Sequence, residues 1–185
     1  TRNLIKLVLC THPQLLQHWR EEEILHEESI RRIDWEVVGG VMASLPLKRR
    51  LWASKLISQE CGLGATLMQW KEREDDECPW CSAPEDLDHM LRCPSSTDRW
   101  DKSAENLIKE LKKEDTLPLI TKLLVNGLNG WRKGHPSEPH TGTWPFLQEA
   151  VTDQNAIGWR HVLFGGVSCH WKEAQEEYFK YLGKR

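Results

Sequence analysis

The stretch CPWCSAPEDLDHMLRC, residues 78 to 93, constrains the fold more than any other part of this 185-residue chain. Three cysteines and a histidine fall within it: Cys78 and Cys81 flank Pro79-Trp80, seven residues then precede His89, and three more precede Cys93. A C-x2-C pair closes a tight turn in which both sulfurs point the same way and nearby backbone N–H groups face them. Pro79 favours that turn. The following EDLDHMLR opens with acidic residues suited to a helix N-terminus. On such a helix His89 and Cys93 stand at i and i+4, so both side chains leave one face. Pro94 limits any continuation.

A turn with two ligands and a helix face with two more make a closed tetrahedral Cys3His site, and the ion that fits is Zn2+. Three other readings compete. A redox C-x-x-C normally lies in a βαβ pattern, whereas KEREDDE precedes this one. A disulfide requires an oxidising compartment, and no secretory signal is present. An iron–sulfur site usually takes four cysteines. Four protein ligands leave no position for a catalytic water, so the expected zinc is structural. Such an ion contributes roughly 10–16 kcal/mol of apparent binding energy, against a whole-domain stability of about 5–15 kcal/mol. The segment around it is therefore expected to owe its order to the metal. Cys10, Cys61 and Cys169 read as small buried hydrophobes; the alternative joins Cys169 and His170 to Cys61 in a second site.

The remainder reads as mainly α: a helical domain with one small Cys3His zinc knuckle, a short hairpin turn plus a helix. Residues 1–70 form a helical region with a basic helix over 47–61, and 71–94 form the knuckle. Residues 95–133 form a helical hairpin, 134–143 a loop or linker, and 144–185 a C-terminal helical region. Pro13, Leu15 and Trp19 belong to the first helix, and the acidic run from Arg20 to Glu28 is a solvated face. Asp34 caps a helix that stops before Pro46. LKRRLWASKLISQECG places Leu51, Trp52 and Leu56 on a helix with Lys48, Arg49, Arg50 and Lys55, ended by Gly62. Ser95 and Asp98 have capping-box spacing. Three helical stripes follow: Trp100, Ala104, Leu107 and Leu111; then Leu117, Ile120, Leu124, Leu128 and Trp131; then Trp171, Ala174, Tyr178 and Tyr181, capped by Ser168. His135 and His140 are exposed loop histidines.

Composition is globular, 39% hydrophobic and 29% charged, enough for one sizeable domain or two small ones. Most of the ten tryptophans are expected to anchor helix packing. No apolar run approaches a membrane span of about 20 residues, and no signal peptide is visible. The chain starts at Thr1, which fits a piece of a longer protein, and an intracellular setting, nuclear or cytoplasmic, is expected.

RRLWASKLISQECGLGATLMQWKEREDDECPWCSAPEDLDHMLRCPSSTDRW resembles the zinc-binding region downstream of the reverse transcriptase in non-LTR retrotransposon proteins. That family shows a basic, Trp-containing helix, a short helical stretch, C-x2-C, acidic residues before the histidine, and a last cysteine followed by Pro. Here these are Cys78, Cys81, Glu85 with Asp86, His89, and Cys93 with Pro94, followed by Trp100 downstream. Many members carry one more residue between the last two ligands. The similarity covers roughly residues 46 to 100. It implies a region that helps hold template or target nucleic acid beside a polymerase, with other domains of a parent polyprotein as neighbours. The stretches IDWEVVGGVMASLP and QNAIGWRHVLFGGVSCHW also look similar to uncharacterised algal relatives of such elements. No Tyr-x-Asp-Asp signature and no spaced acid–base set occurs, so the chain is not expected to be an enzyme or to take a small-molecule substrate.

Charge limits where nucleic acid can sit. Net charge is −3, without the global basic field of a dedicated binder. From Lys71 to Cys93 three basic residues face eight acidic ones, and three thiolates on a divalent ion add about −1. Phosphate is repelled there. RNA or DNA contact is expected instead from Lys48, Arg49, Arg50 and Lys55, aided by Lys109, Lys112 and Lys113; a solvated helix face is the plain alternative. Trp80 stacks on an unpaired base or packs over the site as a lid. The competing overall reading is a zinc-stabilised protein-interaction scaffold that binds no nucleic acid.

Overall fold

A computed structural model describes residues 25–135 and 145–183 of the chain. Pro13, Leu15, Trp19, Cys10 and His140 lie outside the described residues, as does most of the expected 134–143 loop. The described residues are mainly helical, with no strand among them. In order they are α1 (Glu27–Arg32), α2 (Trp35–Ser44), α3 (Leu47–Ile57), α4 (Gly64–Gln69), α5 (Leu87–Arg92), α6 (Thr97–Lys113), α7 (Pro118–Lys133), α8 (Pro145–Ile157), α9 (Trp159–Val162) and α10 (His170–Tyr181), with a 3-10 turn at Pro94–Ser96.

Three apolar clusters hold these helices. The largest joins Leu117, Ile120 and Leu123 of α7 to Leu147, Ala150 and Val151 of α8, Trp159 of α9, and Trp171 and Ala174 of α10. Its closest approach needs a glycine: a Cβ on Gly127 would lie 2.3 Å from the Trp159 ring. The second gathers Leu25, Ile33 and Ile157 with Trp35 and Val38. The third carries the cysteine-rich segment. It packs Leu56 of α3 and Leu87 of α5 around Cys61, with Met90, Leu91 and Phe164 against them.

The stripes expected on α6 and α7 are the inward faces of those helices, half-buried on α6 and largely buried on α7. On α10, Trp171 and Ala174 are buried but Tyr181 is exposed, one turn past the last packing neighbour. Asp34 caps α2 as expected, its carboxylate accepting from the Val37 N–H at 3.0 Å. Ser168 accepts the His170 N–H at 3.2 Å.

Other expectations are corrected. The basic helix ends at Ile57 rather than 61, and Gln59 turns into the left-handed region at φ 62° well before Gly62. Ser95 caps nothing: its hydroxyl donates to the Trp80 carbonyl, and α6 starts at Thr97 behind Ser96. Among the described tryptophans Trp159 and Trp171 are core residues and Trp35 and Trp131 pack against the core as expected, while Trp52, Trp70 and Trp80 are exposed large apolar groups. Helices this short offer few deep positions wide enough for an indole.

Candidate metal centre

The local backbone builds the site from both ends. The Cys78 N–H donates to Ala83 O at 2.7 Å and the Glu85 N–H to Asp76 O at 2.6 Å, pairing residues 76 to 85 around an isolated antiparallel bridge between Glu77 and Pro84. Ser82, just past the second cysteine, takes a left-handed φ of 58° that closes the turn. Asp86 then caps α5 by accepting the His89 N–H at 2.7 Å, which aims the imidazole back at the turn. Cys93 is the C-cap of the same helix. Position i+4 is thus still close to the helix face, although Cys93 has left helical geometry with ψ 124°.

The ligand atoms of Cys78, Cys81, His89 and Cys93 all lie within 4.8 Å of one another, and together they can hold a metal ion. Cys78 and Cys93 Sγ are 4.0 Å apart, Cys93 and Cys81 Sγ 3.7 Å, and Cys81 Sγ lies 3.2 Å from His89 Nε2. A tetrahedral ion with metal–sulfur bonds near 2.3 Å needs sulfurs about 3.8 Å apart. The measured edges fall on either side of that value. Cys78 and Cys93 are buried, at 2% and 3% exposure, and Cys81 and His89 are half-buried.

The thiols are not equivalent. Burial works to raise Cys93, but the Ser95 N–H and hydrogen bonds from Cys81 and Cys78 outweigh it and hold that thiol below its ordinary range. At Cys81 the Ala83 N–H lowers, while burial and the Cys93 and Cys78 sulfurs win and push it up. The three sulfurs share protons among themselves. An arriving cation replaces those shared protons.

A second tier of contacts, invisible in the sequence, fixes this cluster to the helices. Glu85 accepts the Gly64 N–H at 2.9 Å through its side chain and the Ala65 N–H at 3.0 Å through its carbonyl, so it caps α4. Gly64 is required there, because a Cβ would sit 2.5 Å from Asp76 O. Two arginines exchange helix ends. Arg92 at the end of α5 donates to Trp131 O (2.7 Å) and Arg132 O (3.3 Å) on α7. Arg132 at the end of α7 donates to Cys93 O (3.0 Å), Ser96 Oγ (3.2 Å) and Leu91 O (3.3 Å). Each guanidinium bonds carbonyls at the end of the other's helix, and each lies over a tryptophan: Arg92 over Trp131, Arg132 over Trp100. Arg160 adds an ion pair to Asp88 at 3.0 Å. Basic residues in a last turn are the sole hint the sequence offers of this exchange.

The other expected site residues fall elsewhere. Lys48, Arg49 and Lys55 are exposed on α3. Arg50 is not free: its guanidinium donates to Ala43 O and Leu45 O, each at 3.1 Å, and closes the end of α2. Trp80 is 60% exposed, with the Arg99 guanidinium 3.9 Å from its ring centroid. Lys109, Lys112 and Lys113 lie exposed towards the end of α6. Cys61 sits in the Leu56–Leu87 cluster, whereas Cys169 and His170 gather with Asp153.

No helix among the described residues is long and apolar enough to cross a membrane. Compared with protein-family models, curated proteins and solved structures, the chain has no match.

Proposed function

We propose that this chain is a non-catalytic, zinc-stapled helical region of retroelement type that positions nucleic acid along α3. Zinc is the ion that three thiolates and one imidazole in a closed four-ligand set favour. With every position filled by protein, it orders backbone and activates no water.

The observation that carries the nucleic-acid reading is the outer face of α3. That helix buries only Leu56. Lys48, Trp52 and Lys55, at i, i+4 and i+7, run along one side of it, and Trp52 is 60% exposed. Arg49 is exposed beside them. An indole with ammonium groups on both flanks is the combination that single strands use: a platform for a base, with cations for the phosphates on either side. Arg50 drops out of the contact set because it caps α2. Trp80, with Arg99 over its ring, serves as a cover on the cysteine turn. A parent polyprotein would supply the neighbouring domains.

The test is fluorescence anisotropy with a single-stranded RNA and a DNA of equal length over a salt series. Neutralising three phosphate contacts changes the log–log salt slope by about 2 for a single strand. A Lys48/Arg49/Lys55→Ala variant should lose that much slope. Trp52→Ala should lose about 1–3 kcal/mol of binding with the slope unchanged. Binding that ignores both variants contradicts the reading.

A second reading has one observation in its favour. No residue of α2 is buried, and Val37 and Val41 of that helix are exposed, as are Leu47 and Leu51 of α3. Such apolar exposure suits a protein partner. Absence of nucleic-acid binding even at low salt would leave this scaffold role.

A further inference from the structure

A second set of metal-type donors lies where α1, α8 and α10 meet. Cys169 Sγ, a ring nitrogen of His170 and a carboxylate oxygen of Asp153 all fall within 4.8 Å of one another. Asp153 is buried at 7% exposure, yet its two oxygens are both engaged: Oδ1 with Arg32, and Oδ2 with His170 Nδ1 at 2.7 Å. His170 Nε2 looks the other way, towards Glu149 and Glu173 at 4.0 and 3.9 Å.

The backbone around the sulfur is fixed independently of any ion. Residues 32–34 run antiparallel to 167–169, with the Asp34 N–H on Val167 O (2.9 Å) and the Cys169 N–H on Arg32 O (3.0 Å). The fully buried Gln154 holds the next turn by accepting from Ser168 N and Trp171 Nε1, both at 3.1 Å, while it donates to Gly166 O at 2.9 Å. Ser168 Oγ in turn accepts the His170 N–H. Thiol and imidazole are thus presented on a turn whose polar groups are satisfied, beside a carboxylate oriented by a guanidinium. The 2.7 Å hydrogen bond between His170 and Asp153 opens to admit an ion, and the fixed turn limits what else has to order.

We propose that Cys169 Sγ, His170 Nδ1 and Asp153 Oδ2 form a second, three-ligand site for a divalent transition-metal ion of the zinc or cobalt type. The donor set is mixed: one soft sulfur, one imidazole and one carboxylate oxygen suit borderline ions and not calcium or magnesium. Among the described residues Arg32 is the permanently charged cation engaged with Asp153, set against the charge of Asp153, Glu149 and Glu173. The field therefore favours a divalent cation. On binding, the thiol proton leaves to solvent and the imidazole proton moves to Nε2. There Glu149 and Glu173 stand 4.0 and 3.9 Å away, so a small side-chain movement would give the outer partnership that metal-bound histidines usually have. Three protein ligands leave one position for water or a small anionic ligand, which the Cys78–Cys93 set does not. This site is independent of the nucleic-acid reading.

The experiment is metal stoichiometry by elemental analysis after equilibration with zinc, paired with cobalt titration that follows the thiolate-to-metal absorption. The parent chain should take two equivalents, and Cys169→Ser one. That variant keeps the Arg32–Asp153–His170 contacts, so its fold is preserved; circular dichroism checks this. His170→Gln should likewise lose one equivalent while cobalt absorption from the cysteine-rich site persists. A Cys169→Ser chain that binds as much metal as the parent overturns the assignment, whatever the total. Asp153, His170 and Arg32 are then a buried structural network alone.

Discussion

Replacing Arg132 by alanine tests whether the metal centre is held by the helical core or merely lies beside it. The guanidinium donates to Cys93 O at 3.0 Å and Ser96 Oγ at 3.2 Å from one nitrogen, and to Leu91 O at 3.3 Å from another. A hydrogen bond from a charged donor contributes about 1.5–3 kcal/mol. The first two share a nitrogen and the third is long, so one full bond and a fraction of a second is a fair count. Its place over Trp100, 5.1 Å from the ring centroid, adds about 0.5–1 kcal/mol. Arg132→Ala should therefore cost about 3 kcal/mol in urea unfolding with m unchanged. Because the Cys93 carbonyl loses its one charged donor and keeps only those of Ser96, metal affinity measured against a chromophoric chelator should fall about 10-fold, the low end of the range for lost outer contacts at metal sites. Arg132→Lys should recover less than half of either loss, since an ammonium cannot reach carbonyls on both sides of a fork. A loss below about 1 kcal/mol, or a lysine variant that matches the parent, would refute the reasoning and reduce the exchange with Arg92 to a surface contact.

Gly127→Ala sets two effects against each other. Alanine gains about 1 kcal/mol of helix propensity, but its Cβ lands 2.3 Å from a buried Trp159 ring that Asn155 holds by its N–H, and overpacking costs about 1–3 kcal/mol. The thermal midpoint should drop; a rise would show that the ring yields. Removing metal by chelation, or Cys93→Ser, should unfold the middle of the chain, because α4 and α5 have six residues each and isolated helices below about 12 residues are marginal. Metal content should fall by one equivalent, to that of the Cys169, His170 and Asp153 group, and a fully folded Cys93→Ser chain holding as much metal as the parent contradicts this. Burial first, and Arg160 second, lower the His161 imidazole from 6.5 to about 4. The unfolded chain then binds more protons between those values, so stability present above pH 6.5 is lost as pH falls towards 4, by about 3 kcal/mol. His161→Phe should flatten that window relative to the parent in acid unfolding followed by fluorescence.

Much of this molecule was already determined by residue order. Ligand spacing placed Cys78, Cys81, His89 and Cys93 together because a two-residue turn and a four-residue helical step are local geometries, set within a few bonds. The stripes on α6 and α7 were legible for the same reason: a 3.6-residue period declares which side is buried. What only the tertiary structure decided lies across gaps of tens of residues. Arg92 and Arg132 are 40 positions apart, and nothing near either one announces that each ends the other's helix. Arg50 read as a phosphate contact until the end of α2 turned out to need its guanidinium. Trp52 read as a packing anchor, but its neighbours leave it facing solvent. Cys169 reads from the sequence as a small buried hydrophobe, with a site shared with His170 and Cys61 as the alternative, whereas packing brings Asp153 to Cys169 and His170. A side chain's partners are fixed by which helices the apolar clusters bring together, and that is a property of the whole fold.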